Sequence, residues 1–375
     1  MTHATTERVV ADKSVHSLIA DPYLHVGDDR IYHPLTDRLL EAGQPAYADL
    51  RRVLDGLPPV ELGDASLEQL IGGQWLVDGA SNLDARFRLK FVSLEAHTIC
   101  NQACYFCPVS INPRESYFMP DEQYDSILQQ LSAYRDTIEG VFMINYNEPT
   151  VDKRFLDQVR AIKAAGLPPA VLTNGTGLTP KRIDALVEMG GIGFLCINLS
   201  TIDQERYTKD RGTGNVEQIL RYLDHAKDKP VAPEMKIIVL GTGNDVHKSD
   251  FAEIQERFAG SRFLVESYEV MDRAGYLQIG LKAKNREQQL CGCDNVGSRP
   301  LQHLHITPHA KVVLCCEDYD EHHIVGDLNE QSLDEVLTGP AMQLMRRWIY
   351  GRDEAPDEFI CRNCVFALKR QRASL

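Results

Sequence analysis

The sequence CNQACYFC at residues 100–107 constrains this chain more than any other stretch. It places Cys100, Cys104 and Cys107 on one short loop, at spacings of four and three residues, with the aromatic residue Phe106 before the third cysteine. A strand-like run, RLKFVSLE at residues 88–95, precedes the loop. Three thiolates can bind three irons of a four-iron cluster, which leaves the fourth iron open to the nitrogen and oxygen donors of a small molecule.

This loop resembles that of the radical S-adenosylmethionine (SAM) superfamily, which reads C-x3-C-x-aromatic-C after a first strand. The resemblance implies that the three cysteines bind a [4Fe–4S] cluster and that SAM occupies the open iron. Reductive cleavage of SAM would yield a 5′-deoxyadenosyl radical that removes a hydrogen atom from the substrate, so the cofactors would supply the reactive species. The alternative is a zinc knuckle or a set of core cysteines, although zinc ligands usually come as C-x2-C pairs.

A repeated alternation of strands and helices predicts the fold class. Apolar strand-like segments alternate with helical patterns six times, at residues 88–95, 140–145, 170–173, 194–199, 235–240 and 263–265. These repeats predict an α/β fold with an open, parallel barrel of the TIM type, a partial (βα)6 barrel at residues 86–280. Its active site should lie at the carboxyl ends of the strands.

Polar residues follow several of these predicted strands. The sequence NYNEP at residues 145–149 stands where the radical SAM family has its GGEP motif, but only the Glu-Pro half matches, so the contacting atoms are left open. Arg211 stands where relatives bind the SAM carboxylate, a role that suits the planar fork of a guanidinium; the alternative is a surface salt bridge. The resemblance implies SAM contacts by Phe106, Asn147, Glu148, Asn198, Ser200 and Arg211.

A second set of cysteines lies in a predicted C-terminal extension, residues 281–375. Two cysteines precede a predicted β-hairpin at residues 303–316, two lie at the end of this hairpin, and two form a closing C-x2-C pair. This order resembles the SPASM or shorter twitch extension of radical SAM enzymes, in which a hairpin followed by a helix carries an auxiliary cluster. The resemblance implies one auxiliary [4Fe–4S] cluster, with Cys293, Cys315, Cys361 and Cys364 as its predicted ligands.

The remaining cysteines and histidines have simpler interpretations. Cys291 is the nearest rival of Cys293, and Cys316 is expected to be spare because adjacent cysteines rarely bind one cluster together. A zinc site with four thiolates is the alternative to the auxiliary cluster. Cys196 lies within a predicted strand and is expected in the core. Four histidines are expected on the hairpin surface: His303, His305, His322 and His323.

Residues 1–85 are predicted to form an N-terminal module. Its first 28 residues are polar and acidic and are expected to be loosely ordered. Helical patterns follow over residues 39–54, Ser66 is predicted to cap a further helix, and residues 74–77 have a strand pattern. Helices followed by a small strand suggest a winged-helix-like module.

This module weakly resembles the peptide-recognition domain that is fused to many maturases of ribosomally made peptides. That domain binds a leader peptide by adding it to the edge of a sheet. The alternative is an N-terminal extension that only packs against the barrel.

Charge and hydropathy argue against some partners. The formal net charge of -14 argues against a nucleic-acid substrate, because phosphate binding needs clustered Lys and Arg. No apolar run is long enough to span a bilayer, and residues 1–13 lack the apolar core of a secretory signal. The clustering of the ten cysteines into sets is therefore expected to reflect metal binding in a reducing cytoplasm. The radical SAM resemblance implies an external electron donor such as flavodoxin or ferredoxin.

The resulting hypothesis is a radical SAM oxidoreductase or maturase that oxidatively modifies a ribosomally made peptide. The first alternative is a dehydrogenase of a small aminocyclitol, sugar or other biosynthetic metabolite, and the second is a zinc-stabilised interaction protein without enzymatic activity. Tyr146, Glu266 and Tyr268 lie near strand ends, but the sequence assigns them no role. The substrate, the bond altered, the acid–base residues and the possible regeneration of SAM are left open.

Overall fold

A nine-stranded sheet forms the centre of the molecule, in a computed structural model that describes residues 15–371. Six of its strands run parallel, and each is hydrogen-bonded to the next along the chain. These strands are β6 (Phe91–Leu94), β7 (Gly140–Phe142), β8 (Pro169–Thr173), β9 (Phe194–Asn198), β10 (Glu234–Gly241) and β11 (Phe263–Glu269). The order confirms the predicted α/β fold with a partial, open barrel.

Helices, most of them amphipathic, connect the six strands and cover one face of the sheet. Apolar side chains of the helices, such as Ile127 and Val159, pack in one core with Val92 and Val141 of the strands. The side chains of the opposite strand face, such as Ser93, are less buried, as expected for an open barrel. The connecting helices are α3 (Asp121–Leu131), α4 (Phe155–Ala164), α5 (Pro180–Glu188), α6 (Gln204–Arg211), α7 (Val216–Ala226) and α8 (Asp245–Arg257). Within the described part of the chain, none of the helices combines the length and the apolar composition that crossing a membrane requires.

The C-terminal part of the chain extends the barrel sheet beyond β6. Strand β13 (His303–Ile306) pairs in parallel with β6, and β14 (Lys311–Val313) and β15 (Ile324–Asp327) continue the sheet in antiparallel order. The predicted hairpin is therefore confirmed, and its docking on the first barrel strand is an addition that the sequence did not predict. The remaining C-terminal elements are β12 (Gln289–Cys293), α9 (Arg299–Gln302), α10 (Leu333–Thr338), α11 (Pro340–Ile349) and β16 (Ala367–Arg370).

Two histidines of this hairpin were expected on its surface, and that expectation is wrong. His303 and His305 are 6% and 1% exposed. They lie opposite Phe91 and Ser93 of β6, because the hairpin is an interior part of the sheet and not an appendage. Of the other two histidines, His322 is exposed and His323 is half-buried.

The N-terminal elements form a small body with its own apolar core, which includes Leu18, Ile31, Leu50 and Leu70. A three-stranded antiparallel sheet precedes two helices, and the last strand returns to pair with the first. The elements are β1 (Leu18–Ala20), β2 (His25–Val26), β3 (Arg30–His33), β4 (Arg38–Glu41), α1 (Pro45–Leu54), α2 (Asp64–Gly72) and β5 (Leu76–Asp78). The predicted helices are thus preceded by a sheet that the sequence patterns did not indicate.

Three local predictions in this module are wrong. Residues 15–28 contain β1 and β2 and are not loosely ordered; the expectation for residues 1–14 lies outside the described residues. Leu39 and Leu40 belong to β4, since pairing with β3 overrides their apparent helical spacing. Ser66 lies inside α2, whose N-cap is Gly63, and its hydroxyl donates to the Asp49 carboxylate instead.

Candidate functional site

The loop of the first three cysteines is held between the ends of three neighbouring elements. Its Ala103 and Tyr105 N–H groups donate to the carbonyl oxygens of Arg211 and Asp210, at 2.9 and 3.1 Å. On the other side, the Glu148 N–H donates to the Ile99 carbonyl at 2.9 Å. These backbone bonds bring the predicted ligands Cys100, Cys104 and Cys107 to the carboxyl end of the barrel, where the sequence predicted the active site.

Arg211 is buried beside this loop and lies among other residues that were predicted to bind SAM. Its Nη2 donates to Asn198 Oδ1 at 2.8 Å and to Ser200 Oγ at 2.7 Å. Its Nη1 lies 3.6 Å from Cys104 Sγ, and its guanidinium lies 4.8 Å from the centre of the Phe106 ring. The structure therefore brings together four of the six predicted SAM contacts and one predicted iron ligand.

The guanidinium of Arg211 is buried without a salt-bridge partner among the described residues. Arg211 is 1% exposed, and within residues 15–371 it forms no salt bridge, although the carboxylate of its neighbour Asp210 interacts with it electrostatically. This excludes the alternative of a surface ion pair. Because a buried charge is costly without a partner of opposite sign, Arg211 is suited to bind an anionic group of a ligand.

The side chains of the other two predicted contacts, Asn147 and Glu148, form hydrogen bonds with other groups of the protein. The Glu148 carboxylate is buried and accepts hydrogen bonds from the Asn174 N–H at 2.7 Å, from Thr173 Oγ1 at 2.6 Å and from Thr150 Oγ1 at 2.5 Å. Burial raises the pKa of Glu148, and these hydrogen bonds oppose that increase. The Glu148 side chain thus fixes the loops after β7 and β8, and the question of which atoms replace the family's glycine contacts stays open.

Replacing Arg211 with Gln should weaken SAM binding by about tenfold or more, because hydrogen bonds to charged groups contribute ~1.5–3 kcal/mol. The dissociation constant can be measured anaerobically by equilibrium dialysis on protein with its iron restored. Arg206→Gln is a matched control on the same helix, since Arg206 is half exposed and pairs with Asp250. Equal SAM affinity of R211Q and R206Q would contradict the assigned role.

The four predicted auxiliary ligands surround one cavity. Cys293 at the end of β12, Cys315 after β14, and Cys361 and Cys364 before β16 all line it, together with Arg299 and Glu317. The two competing cysteines, Cys291 and Cys316, do not line this cavity. The structure therefore brings the four cysteines that were predicted as ligands to one cavity, and their binding of a cluster stays a prediction.

Four thiols that border one cavity are a donor set that fits a four-iron cluster. Within residues 15–371, no three Cys, His, Asp or Glu side chains converge closely enough to hold one metal ion. A four-iron cluster has a different requirement, because each thiolate binds its own iron and the sulfide-bridged core occupies the space between them. A cavity bordered by four thiols meets that requirement, whereas a tetrahedral zinc site would need the four sulfur atoms around one point.

A layer of aromatic and charged side chains joins the two cysteine sites. The Tyr146 hydroxyl donates to the carbonyl of Cys316, and its ring packs edge-on against Tyr319 with 4.7 Å between centroids. The guanidinium of Arg114, which follows the first cysteine loop, lies 5.8 and 5.4 Å from the two ring centres. Arg114 is itself held by Glu95 through two hydrogen bonds of 3.0 and 2.5 Å. The layer keeps the loop after Cys107 in contact with the loop after Cys315.

Sequence patterns did not predict the pairing of two further groups of polar residues. Arg273 and Glu317 form an ion pair of 3.2 Å beside this layer, and Arg273 has a positive φ of 52°. On the last two barrel strands, Glu266 accepts from the Tyr268 hydroxyl at 2.9 Å and pairs with Lys236 at 3.2 Å. The sequence marked Glu266 and Tyr268 only by their place near a strand end, and their pairing depends on strand register.

Comparisons with known proteins agree with the two-part arrangement of the chain. Residues 94–257 match the model of the radical SAM superfamily, and residues 293–365 match the model of the SPASM iron-sulfur cluster-binding domain. Among curated proteins, the chain is 29% identical over 142 residues to the S-adenosyl-L-methionine-dependent 2-deoxy-scyllo-inosamine dehydrogenase of Niallia circulans. This match covers 36% of the chain and 56% of the dehydrogenase, so the chain spans about half the length of that relative.

Solved structures share the fold at low sequence identity. Streptococcus suis SuiB bound to precursor peptide SuiA has a TM-score of 0.56 and is 11% identical, with 88% of this chain and 90% of SuiB covered. The protein anSMEcpe with bound AdoMet has a TM-score of 0.51 and is 13% identical, with 68% of this chain and 82% of that protein covered. At these identities the comparisons establish the architecture.

Proposed function

Because the chain belongs to the radical SAM superfamily and carries a SPASM-type cluster-binding domain, we propose that it is an enzyme that oxidatively modifies a ribosomally made peptide. Cys100, Cys104 and Cys107 would hold the [4Fe–4S] cluster that binds SAM. A single auxiliary [4Fe–4S] cluster would occupy the cavity that the four C-terminal thiols border. When bound, these cofactors would supply a 5′-deoxyadenosyl radical and an electron acceptor.

The proposal rests mainly on the contact between the two cysteine sites. A substrate radical can pass an electron to an acceptor only if the acceptor lies close to it. The hydrogen bond from Tyr146 to the Cys316 carbonyl and the packing of Arg114 against Tyr319 bring the two loops together. The chain's own residues would thus bind SAM through Arg211, limit the access of water through the buried layer, and keep the two cofactors at a constant separation.

The N-terminal module supports a peptide substrate. Residues that face each other in an antiparallel pair alternate between hydrogen-bonded and non-hydrogen-bonded pairs. The Ala42 N–H donates to the Asp29 carbonyl at 2.7 Å, so the register makes Ile31–Leu40 and His33–Arg38 hydrogen-bonded pairs and Tyr32–Leu39 a non-hydrogen-bonded one. The backbone N–H and C=O of Leu39 then point away from β3. Within the described residues, no other strand pairs with this edge of β4, and the Leu39 side chain is 45% exposed.

An extended peptide could add to this edge as a further strand. The structural relative SuiB is described with its precursor peptide, which makes peptide binding a reasonable role for a similarly folded chain. Arg38 would border the added strand, since its Nη1 donates to the Gly72 carbonyl at the end of α2 at 3.1 Å. We propose that the N-terminal module spans residues 1–85, the barrel residues 86–280 and the C-terminal extension residues 281–375.

Replacing Leu39 with Pro should abolish binding of the leader peptide. Proline removes the backbone N–H that would bond to the added strand, but it leaves the bonds between β3 and β4 intact because that N–H points outward. Binding can be measured by fluorescence anisotropy with a labelled candidate precursor peptide isolated from the source organism. Leu39→Ala keeps the N–H and should retain most of the affinity. Loss of binding in L39A but not in L39P would contradict strand addition.

A dehydrogenase of an aminocyclitol or a related small metabolite is the second candidate. The observation that favours it is the 29% identity to the 2-deoxy-scyllo-inosamine dehydrogenase, whose name identifies a substrate of this class. In that case the N-terminal module would only pack against the barrel. The module does contact the rest of the chain, since Gln302 Nε2 donates to the Pro34 carbonyl at 2.6 Å and His25 Nε2 lies 3.0 Å from the Tyr350 hydroxyl.

One experiment separates these candidates. Anaerobically reconstituted protein is incubated with SAM, a strong reductant and size fractions of an extract from the source organism, and 5′-deoxyadenosine is followed by mass spectrometry. Stimulation by the peptide fraction alone supports the maturase, and stimulation by the small-molecule fraction alone supports the dehydrogenase. Iron and sulfide analysis of the same sample tests the third hypothesis, because zinc without sulfide would leave only a zinc-stabilised protein. We further propose a cytoplasmic location and a flavodoxin or ferredoxin as the natural reductant.

A further inference from the structure

Arg299 is a cation at the wall of the auxiliary cavity. It begins the short helix α9, six residues after Cys293, and it lines the cavity together with all four predicted ligands. Arginine stays protonated in proteins, so the guanidinium is charged, and its place on the cavity wall puts it within electrostatic range of the proposed cluster.

Two of the three guanidinium nitrogens of Arg299 have protein partners. Nη1 donates to His303 Nδ1 at 2.8 Å, and Nη2 donates to Asn295 Oδ1 at 3.1 Å. His303 Nε2 lies 2.9 Å from the Val296 carbonyl, so a neutral His303 that is protonated at Nε2 satisfies both contacts. Asn295 and His303 thus orient the guanidinium without neutralising its charge.

The third nitrogen, Nε, is buried and has no hydrogen-bond partner among the described residues. Arg299 also forms no salt bridge within residues 15–371: Glu317, on the same cavity wall, interacts with it electrostatically but pairs with Arg273. A buried N–H group without an acceptor is costly, and so is a buried charge without a directly paired counter-charge. Both would be compensated by an anionic acceptor in the cavity.

We propose that Arg299 binds the auxiliary cluster through its Nε–H and its charge, and that this contact raises the reduction potential of the cluster. A [4Fe–4S] core with four thiolates is anionic, and the uptake of one electron makes it more so. Hydrogen bonds to the sulfur atoms and a nearby positive charge stabilise the reduced form more than the oxidised form. The inference rests on the proposed function, because it requires the cluster to be present and explains its suitability as an electron acceptor.

The test is a redox titration of the auxiliary cluster followed by EPR spectroscopy. The parent protein carries Cys100→Ala, Cys104→Ala and Cys107→Ala, so that the auxiliary cluster alone contributes to the signal, and dithionite supplies the electron. Arg299→Gln should lower the equilibrium constant for reduction by about tenfold, which is about 59 mV for a one-electron couple. An unchanged potential in a variant that retains its iron would overturn the proposal.

Two further variants make the test specific. Lys369→Gln removes another cation that interacts with Cys361 and Cys364. The ammonium group of Lys369 already donates to the carbonyls of Lys284 and Arg362, so K369Q should shift the potential less than R299Q. If R299Q does not retain iron, Arg299→Lys decides the question. R299K keeps the charge and loses the planar Nε–H, so its potential should lie below that of the parent, and equality with the parent would overturn the proposal.

The result also distinguishes this inference from the proposed function. Absence of iron and sulfide from the parent protein would reject the auxiliary cluster and with it the proposed function. A normal cluster whose potential does not respond to Arg299 would reject only the role of Arg299.

Discussion

Replacing Cys104 with Ala is expected to abolish the cleavage of SAM to 5′-deoxyadenosine. The cluster would lose one of three thiolate ligands on a loop that offers no substitute, since Arg211 Nη1 and Gln102 Oε1 are the polar groups in contact with the Cys104 sulfur, both at 3.6 Å. The iron content of the reconstituted protein should fall from about eight to about four atoms per chain, because the auxiliary cluster stays bound. Iron and sulfide analysis, EPR spectroscopy and mass spectrometry of 5′-deoxyadenosine check these outcomes.

Cys196→Ala is the matched control for this substitution. Cys196 lies in the middle of β9, is buried in the core as its sequence context predicted, and takes no part in either cysteine site. We therefore expect C196A to retain the full iron content and SAM cleavage. Persistence of SAM cleavage in C104A, with its iron content unchanged, would show that the 100–107 loop does not hold the reactive cluster.

Replacing Cys361 and Cys364 with Ala together is expected to separate SAM cleavage from product formation. Both thiols line the auxiliary cavity, so the double variant should lose about four iron atoms per chain. SAM should still be cleaved, because the first cysteine loop is unaltered, but the substrate radical would lack its electron acceptor. We expect 5′-deoxyadenosine without product when the stimulating fraction of the extract is added.

Cys291→Ala serves as the control at this site. Cys291 lies two residues before Cys293 in the same strand, yet it does not line the cavity, so C291A should retain both the auxiliary cluster and product formation. Survival of SAM cleavage and product formation in the double variant would reject the electron-acceptor role and leave the auxiliary cluster a structural one. Loss of the auxiliary iron in C291A would mean that the ligand assignment at Cys293 is wrong.

Arg211 illustrates how far a single sequence motif carries the prediction of a site. The sequence suggested that Arg211 binds a carboxylate, but a surface ion pair was an equal alternative. The structure places Arg211 in the interior because it ends helix α6, which the sequence patterns did not reveal, and this helix returns the side chain to the cysteine loop; the contact with SAM stays a prediction. The helix has few apolar residues, and only Tyr207 and Arg211 are buried in it. Its sequence therefore lacks the amphipathic period by which a helix can be predicted.

The N-terminal module shows where local patterns mislead. Leu39 and Leu40 are adjacent apolar residues and fit a helix as well as a strand, and the distinction depends on pairing with residues 30–33. Propensity and spacing are weak when a strand is four residues long, because tertiary pairing supplies most of its stabilisation. The same limit applies to β13. Its two histidines fit an exposed strand in the sequence, and only the pairing of β13 with β6 shows that they are buried.

The sequence by itself identified the first cysteine loop and the type of the barrel. The spacing of Cys100, Cys104 and Cys107 on one loop is local, so it predicts a donor set without knowledge of the fold, and six apolar segments with intervening helical periods are enough to indicate parallel strands. The tertiary structure alone decided what lies between the two cysteine sites. The contacts of Tyr146 with Cys316, of Arg114 with Tyr319, and of Arg299 with the auxiliary cavity join residues that are far apart in the chain. Such contacts depend on strand order and register, which a local pattern does not encode.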